Sequence, residues 1–182
     1  YVATYWKNGT PVHLTDGSKS TIANSIFVSG SDVYVAGEEY YVTSLAGTVA
    51  KFWKNGVLTN LPADNQYNHA NSIFVVGSDV YIAGYENSST GYSIAKYWKN
   101  GVARRLTDGS TNAWANSIFV VGNDVYVGGE ENSAVLGMAT LWKNGVAVRL
   151  TDGTKDSWIN SISVVNNDVY AAGVESIRPY SR

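Results

Sequence analysis

Apolar and polar positions in this chain alternate in short runs, and each run stops at a turn signal. Over Asn116–Gly129 (NSIFVVGNDVYVGG) two apolar runs flank Gly122-Asn123-Asp124, a pattern that predicts an antiparallel hairpin. The unit recurs as NSIFVSGSDVYVAG from Asn24, NSIFVVGSDVYIAG from Asn71 and NSISVVNNDVYAAG from Asn160. Asn24, Asn71, Asn116 and Asn160 lie 47, 45 and 44 positions apart, and self-similarity at such a period marks a repeat architecture. A second hairpin alternates with the first: YVATYWKNGTPVHL from Tyr1, AKFWKNGVLTNL from Ala50, AKYWKNGVARRL from Ala95 and ATLWKNGVAVRL from Ala139. Its Asn-Gly pair predicts a type I′ turn, in which both central residues need positive φ.

One period therefore holds four strands in up-down order, numbered one to four from Asn-Ser-Ile. That strand count and a length of about 45 residues match a β-propeller blade. Strand one is apolar on both faces, as suits an innermost strand, and Trp6, Trp53, Trp98 and Trp142 on strand three are expected at the seams between blades. Burying one such Trp stabilises by on the order of 3 kcal/mol. The chain starts with strands three and four and stops with strands one and two. Glu39, Glu86 and Glu131 precede their Trp by 14, 12 and 11 residues, and joining Arg182 to Tyr1 would place Glu175 13 residues before Trp6.

The expected fold is thus an all-β propeller of four blades, each of four antiparallel strands, with the last blade closed by both termini. Strands three and four of the closing blade occupy 1–23. Whole blades follow at 24–70, 71–115 and 116–159, and 160–182 supplies strands one and two. Half of an eight-bladed ring made from two chains, or a fragment of a longer propeller, satisfies the same pattern, so monomer and homodimer of half-rings both stand.

Composition agrees with many short strands and tight turns: 18 Gly, 13% aromatic and only 15% charged residues among 182. The formal charge of -2 gives no electrostatic case for nucleic acid, and no apolar run is long enough for a membrane-inserted helix. With no cysteine there is no disulfide and no thiolate-bound metal. The chain opens at Tyr1 with neither an initiator Met nor a signal peptide, as a mature, processed or trimmed form would. Richness in Asn, Ser, Thr, Gly and Tyr leans towards an extracellular or cell-surface bacterial protein.

At DVYVGGEE (Asp124–Glu131), followed by ATLWKNGVAVRL, the chain resembles kelch-like propeller blades and highly repetitive bacterial propellers. The glycine pair occurs once, Ala-Gly replaces it in the other copies, and the Trp precedes the outer turn where the kelch family has it after. The resemblance implies a ligand- or protein-binding scaffold more than an enzyme.

Candidate chemistry falls both where the copies agree and where they differ. Lys7, Lys54, Lys99 and Lys143 should rim one face beside Asp32, Asp79, Asp124 and Asp168. The opposite face should carry Glu39, Glu86, Glu131 and Glu175, with Asn24, Asn71, Asn116 and Asn160 near the axis. Acidic rings can hold a hard cation, but carboxylates and Asn at strand ends also satisfy local backbone groups, so no metal and no cofactor is assigned. Two positions before each Asn the copies diverge to Ile22, His69, Trp114 and Trp158, expected in loops between blades, with Tyr67 nearby. The loops Glu38–Gly47, with Tyr40 and Tyr41, Asn87–Tyr92 and Asn132–Gly137 also differ. Aromatic faces among amides, hydroxyls and carboxylates suit carbohydrate, and a protein partner fits the same loop-rich face. Arg104, Arg105 and Arg149 on strand four read as charges that guard an edge. His13 and His69 lack metal-ligand spacing, and no nucleophile or phosphate motif is present. The expected role is a non-enzymatic binding scaffold. A purely structural repeat domain and a hydrolase or lyase are the alternatives.

Overall fold

The computed structural model describes residues 1–41, 47–65, 67–133 and 136–177. They contain no helix and sixteen strands. The short hairpin β1 (Thr4–Lys7) and β2 (Thr10–His13) comes first. Three four-stranded sheets follow. One is β3 (Ser20–Ser29), β4 (Asp32–Tyr41), β5 (Gly47–Lys54) and β6 (Val57–Asn60). The next is β7 (Asn68–Val76), β8 (Asp79–Asn87), β9 (Ser93–Lys99) and β10 (Val102–Arg105). The last is β11 (Ala113–Val121), β12 (Asp124–Asn132), β13 (Gly137–Lys143) and β14 (Val146–Arg149). A hairpin of β15 (Ser157–Val165) and β16 (Asp168–Glu175) ends the array. Every ladder is antiparallel between sequence neighbours.

Turn chemistry explains this order. Asn8-Gly9, Asn55-Gly56, Asn100-Gly101 and Asn144-Gly145 all have positive φ, as type I′ turns require. The Asn side chains then bind back onto strand two. Asn55, Asn100 and Asn144 accept from the backbone N–H of Val33, Val80 and Val125 and donate to Asp32, Asp79 and Asp124. Lys54, Lys99 and Lys143 pair with the same aspartates at 2.9, 2.9 and 2.8 Å, so three of the four expected Lys–Asp neighbours meet.

The core lies between sheets. Tyr34 and Ala36 pack with Ile73, Val75 and Trp98; Tyr81 and Ala83 pack with Ile118, Val120 and Trp142; Tyr126 packs with Ile162 and Val164. Phe27, Phe74 and Phe119 form a tilted row on successive first strands, with centroids 4.9 and 4.6 Å apart. Trp53, Trp98 and Trp142 are fully buried between sheets, whereas Trp6, expected at the same kind of seam, is 67% exposed because no further sheet packs on β1 among the described residues.

Asn-Ser-Ile holds the sheets in series. Asn24, Asn71 and Asn116 donate from Nδ2 to the carbonyls of Ala70, Ala115 and Ile159 in the following sheet. The N–H groups of Ile73, Ile118 and Ile162 donate back to Ser25, Ser72 and Ser117.

Two expectations change. Strand one does not begin at Asn-Ser-Ile but three or four residues earlier, because a bulge lets the ladder run past the Asn. The closing blade is not formed either: among the described residues no ladder joins β16 to β1. β1–β2 is held at one end, where Ala3, Tyr5 and Leu14 pack beside Val35 and Trp53. β15–β16 is held at the other, where Ile159, Ile162 and Val164 pack on Tyr126 and Ala139.

Candidate functional site

The bulge that extends strand one also aims the residues at which the copies differ. The register slips between Ala23 and Ser25, Ala70 and Ser72, Ala115 and Ser117, and Ile159 and Ser161. Each slip presses the carbonyl of the residue two before the Asn onto Gly37, Gly84, Gly129 or Gly173, where any Cβ would collide with it. The second glycine of the repeat is therefore required by this close approach. Ile22, His69, Trp114 and Trp158 consequently lie on strands rather than in loops. They pair across the ladder with Glu38, Tyr85, Glu130 and Val174.

These pairs interact from sheet to sheet. His69 Nδ1 is 2.6 Å from Glu38 Oε2, and Tyr40 donates its hydroxyl to Glu38 Oε1 at 2.5 Å. The His69 ring stacks on Tyr85 at 4.4 Å, and Tyr85 meets Trp114 edge-on at 6.4 Å. Burial and the Glu38 hydrogen bond push the Tyr40 hydroxyl well above its usual range, and burial, helped by the Glu38 charge, raises that of Tyr85. At this first junction the glutamate is satisfied.

The third junction differs. Glu130 occupies the position of Glu38, but Trp158 stands where His69 would be. Trp114, Trp158, Glu130, Asn132 and Asp156 line a cleft there, with Asn116 and Asn160 beside them. Asp156 Oδ1 accepts the Gly137 N–H at 2.8 Å, and both Glu130 Oε2 and Asp156 Oδ1 crowd the space next to Gly137. No described residue donates a hydrogen bond or an ion pair to Glu130. Burial, followed by the Asp156 charge, raises its carboxyl to about 7.

The structure brings Trp114 and Trp158 together with Asn116 and Asn160, and it puts His69 and Tyr40 in the same row. The regular glutamates face elsewhere, because Glu38/Glu39 and Glu130/Glu131 are strand neighbours on opposite faces. Glu39 pairs with Lys19 and Lys51 at 2.7 and 3.0 Å, and although burial pushes its carboxyl up, these two ammonium groups hold it below the usual value. Glu86 is buried with Lys96 at 2.5 Å and Arg105 at 3.2 Å. Arg149 lies 3.9 Å from Glu131, and Lys155 lies 2.9 Å from Glu175. Arg105 and Arg149 are thus partners of these acids as well as edge residues. Asn24, Asn71 and Asn116 hold sheets together, as described above. Tyr41 lies under the Lys19 ammonium at 5.5 Å, and Tyr67 bridges Thr48 through its backbone, so neither is shown joining the row. The middles of the first and third variable loops, 42–46 and 134–135, fall outside the described residues.

Sequence reasoning missed Glu130, Asp156 and Glu38. The available signal was variation: the position before each regular glutamate reads Glu38, Tyr85, Glu130, Val174, differing between copies as its cross-strand partner does. Among the described residues no group of three or more His, Asp or Glu is placed to hold a metal. No protein-family model and no curated protein matches the chain.

Proposed function

We propose that the sheets are blades of a β-propeller-type array, kelch-like in layout, and that the chain is a non-enzymatic scaffold binding carbohydrate at the Trp114–Trp158 junction. One observation carries this reading. Glu130 is half-buried between two tryptophans with no protein donor, whereas its counterpart Glu38 is closed off by His69 and Tyr40. Indole faces stack on the C–H faces of a sugar ring, and carboxylate and amide groups fix its hydroxyls. Glu130, Asp156 and Asn132 provide those groups here. An extracellular or cell-surface setting suits such a ligand.

The test is an oligosaccharide array followed by calorimetry on any hit. Trp158→Ala should weaken binding at least roughly tenfold, as expected when a stacking aromatic is lost, while the remote Tyr67→Ala leaves it unchanged. An array without a hit returns the chain to a structural role. Turnover of a bound glycan that Glu130→Gln abolishes would replace binding by hydrolysis.

A further inference from the structure

We infer that the sugar held in the Trp114–Trp158 cleft carries a protonated amine, and that Glu130 and Asp156 together take its ammonium group. This rests on the carbohydrate reading of the site and narrows it to amino sugars.

The two carboxylates share one space. Glu130 Oε2 and Asp156 Oδ1 lie 2.5 and 3.0 Å from the point where a β-carbon on Gly137 would stand, so they are at most 5.5 Å apart. Two N–H···O bonds of about 2.8 Å from a single nitrogen span that separation. Gly137 is what lets the acids meet. Its φ is not positive, so the backbone does not call for glycine there, whereas room for the Glu130 carboxylate does. The other complete sheets carry Thr48 and Ser93 at this repeat position.

The fold does not need the charge on Asp156. Its oxygen accepts the Gly137 N–H at 2.8 Å, and one sheet earlier the Asn112 amide oxygen accepts the Ser93 N–H at the same distance. An uncharged amide performs that task, so the carboxylate adds only a negative charge beside another. Glu130 has no fixed structural duty either. Tyr85 replaces it in the second sheet, and in the first sheet Glu38 is satisfied by His69 and Tyr40.

Among the described residues no cation of the chain offsets this pair. The cleft is lined by two indoles, two carboxylates, three asparagines and Gly137, with no Lys, Arg or His. Lys155, next to Asp156 in sequence, is engaged by Glu175. The regular glutamates Glu39, Glu86, Glu131 and Glu175, by contrast, all have basic partners. A ligand ammonium supplies the missing positive charge, and indole faces attract it through their π electrons. A divalent metal suits the cleft less well. It takes about six or more oxygen ligands, and no group of three His, Asp or Glu among the described residues is placed to hold one.

The test is calorimetry at neutral pH with three oligomers of equal length and linkage: β-1,4-linked glucosamine, its N-acetylated form and the glucose equivalent. The glucosamine oligomer should bind at least about tenfold more tightly than the other two. Glu130→Gln should abolish most of that advantage. Asp156→Asn should do the same while keeping the Gly137 bond, as Asn112 does for Ser93. Equal affinity for all three oligomers overturns the inference and leaves the carbohydrate reading standing. An amine advantage that survives both substitutions also overturns it, as attraction to the acidic chain at large. Binding of no oligomer overturns inference and reading together. Should one variant fail to fold by circular dichroism, the other variant and the three-oligomer comparison decide.

Discussion

Nδ1 of His69 lies 2.6 Å from Oε2 of Glu38, and the contact ties the sheet β3–β6 to the sheet β7–β10. Glu38 is almost fully buried, and Tyr40 is its other side-chain partner. His69→Leu leaves one carboxylate oxygen without a donor and should cost about 1–3 kcal/mol, read as a lower urea midpoint. His69→Gln, which can still donate, should recover part of that loss.

The third junction offers the reverse substitution. Trp158→His should bring an imidazole to Glu130 as His69 does to Glu38, filling the site from within. Binding of any glycan found for wild type should be lost, while circular dichroism keeps the all-β spectrum. Retained affinity would exclude Glu130 from ligand contact.

Glu130 also sets a pH dependence. Its folded carboxyl titrates at about 7 against an ordinary value of 4.5, so the folded state binds the extra proton between those limits. Stability from this group is present below about pH 4.5, falls as pH rises towards 7 and stays lost above. Glu130→Gln should flatten that decline and raise the urea midpoint at pH 8 relative to wild type, with little difference at pH 4.5. The aspartates in the turns, Asp32, Asp79 and Asp124, are held below their usual value chiefly by their Asn and Lys partners. They titrate in acid, outside this window.

The buried pair Glu86–Lys96 has a natural comparison in the third sheet, where Thr140 stands at the repeat position of that lysine and Glu131 is more exposed. Lys96→Thr leaves Glu86 buried with only Arg105 and the Asp64 N–H as partners and should cost about 3 kcal/mol. The corresponding change at the surface pair, Lys155→Thr, should leave the urea midpoint almost unchanged, because solvent screens that pair. Equal losses would mean that burial at Glu86 is relieved by water.

Asn71 Nδ2 bonds the Ala115 carbonyl 3.0 Å away in the next sheet. Asn71→Ala should cost about 1–2 kcal/mol by removing the side-chain donor to the carbonyl of buried Ala115. Native-state hydrogen exchange should show faster opening of β7 and β11 while β15 is unaffected.

The sequence by itself determined the strand order, both turn families and the four-fold repetition. Those are local matters: Asn-Gly needs positive φ, and strict alternation of side chains makes a strand wherever it occurs. It also placed Trp53, Trp98 and Trp142 correctly, but not Trp6 at the same repeat position, because burial needs a neighbouring sheet that the repeat pattern alone does not supply. Only the tertiary structure decided which variable residues meet. Glu130 and Glu131 are adjacent in sequence yet face opposite ways, and the slip at each Asn reverses the alternation on which a reading of faces depends. Asp156 reaches Glu130 because one sheet packs on the next, a contact no spacing encodes.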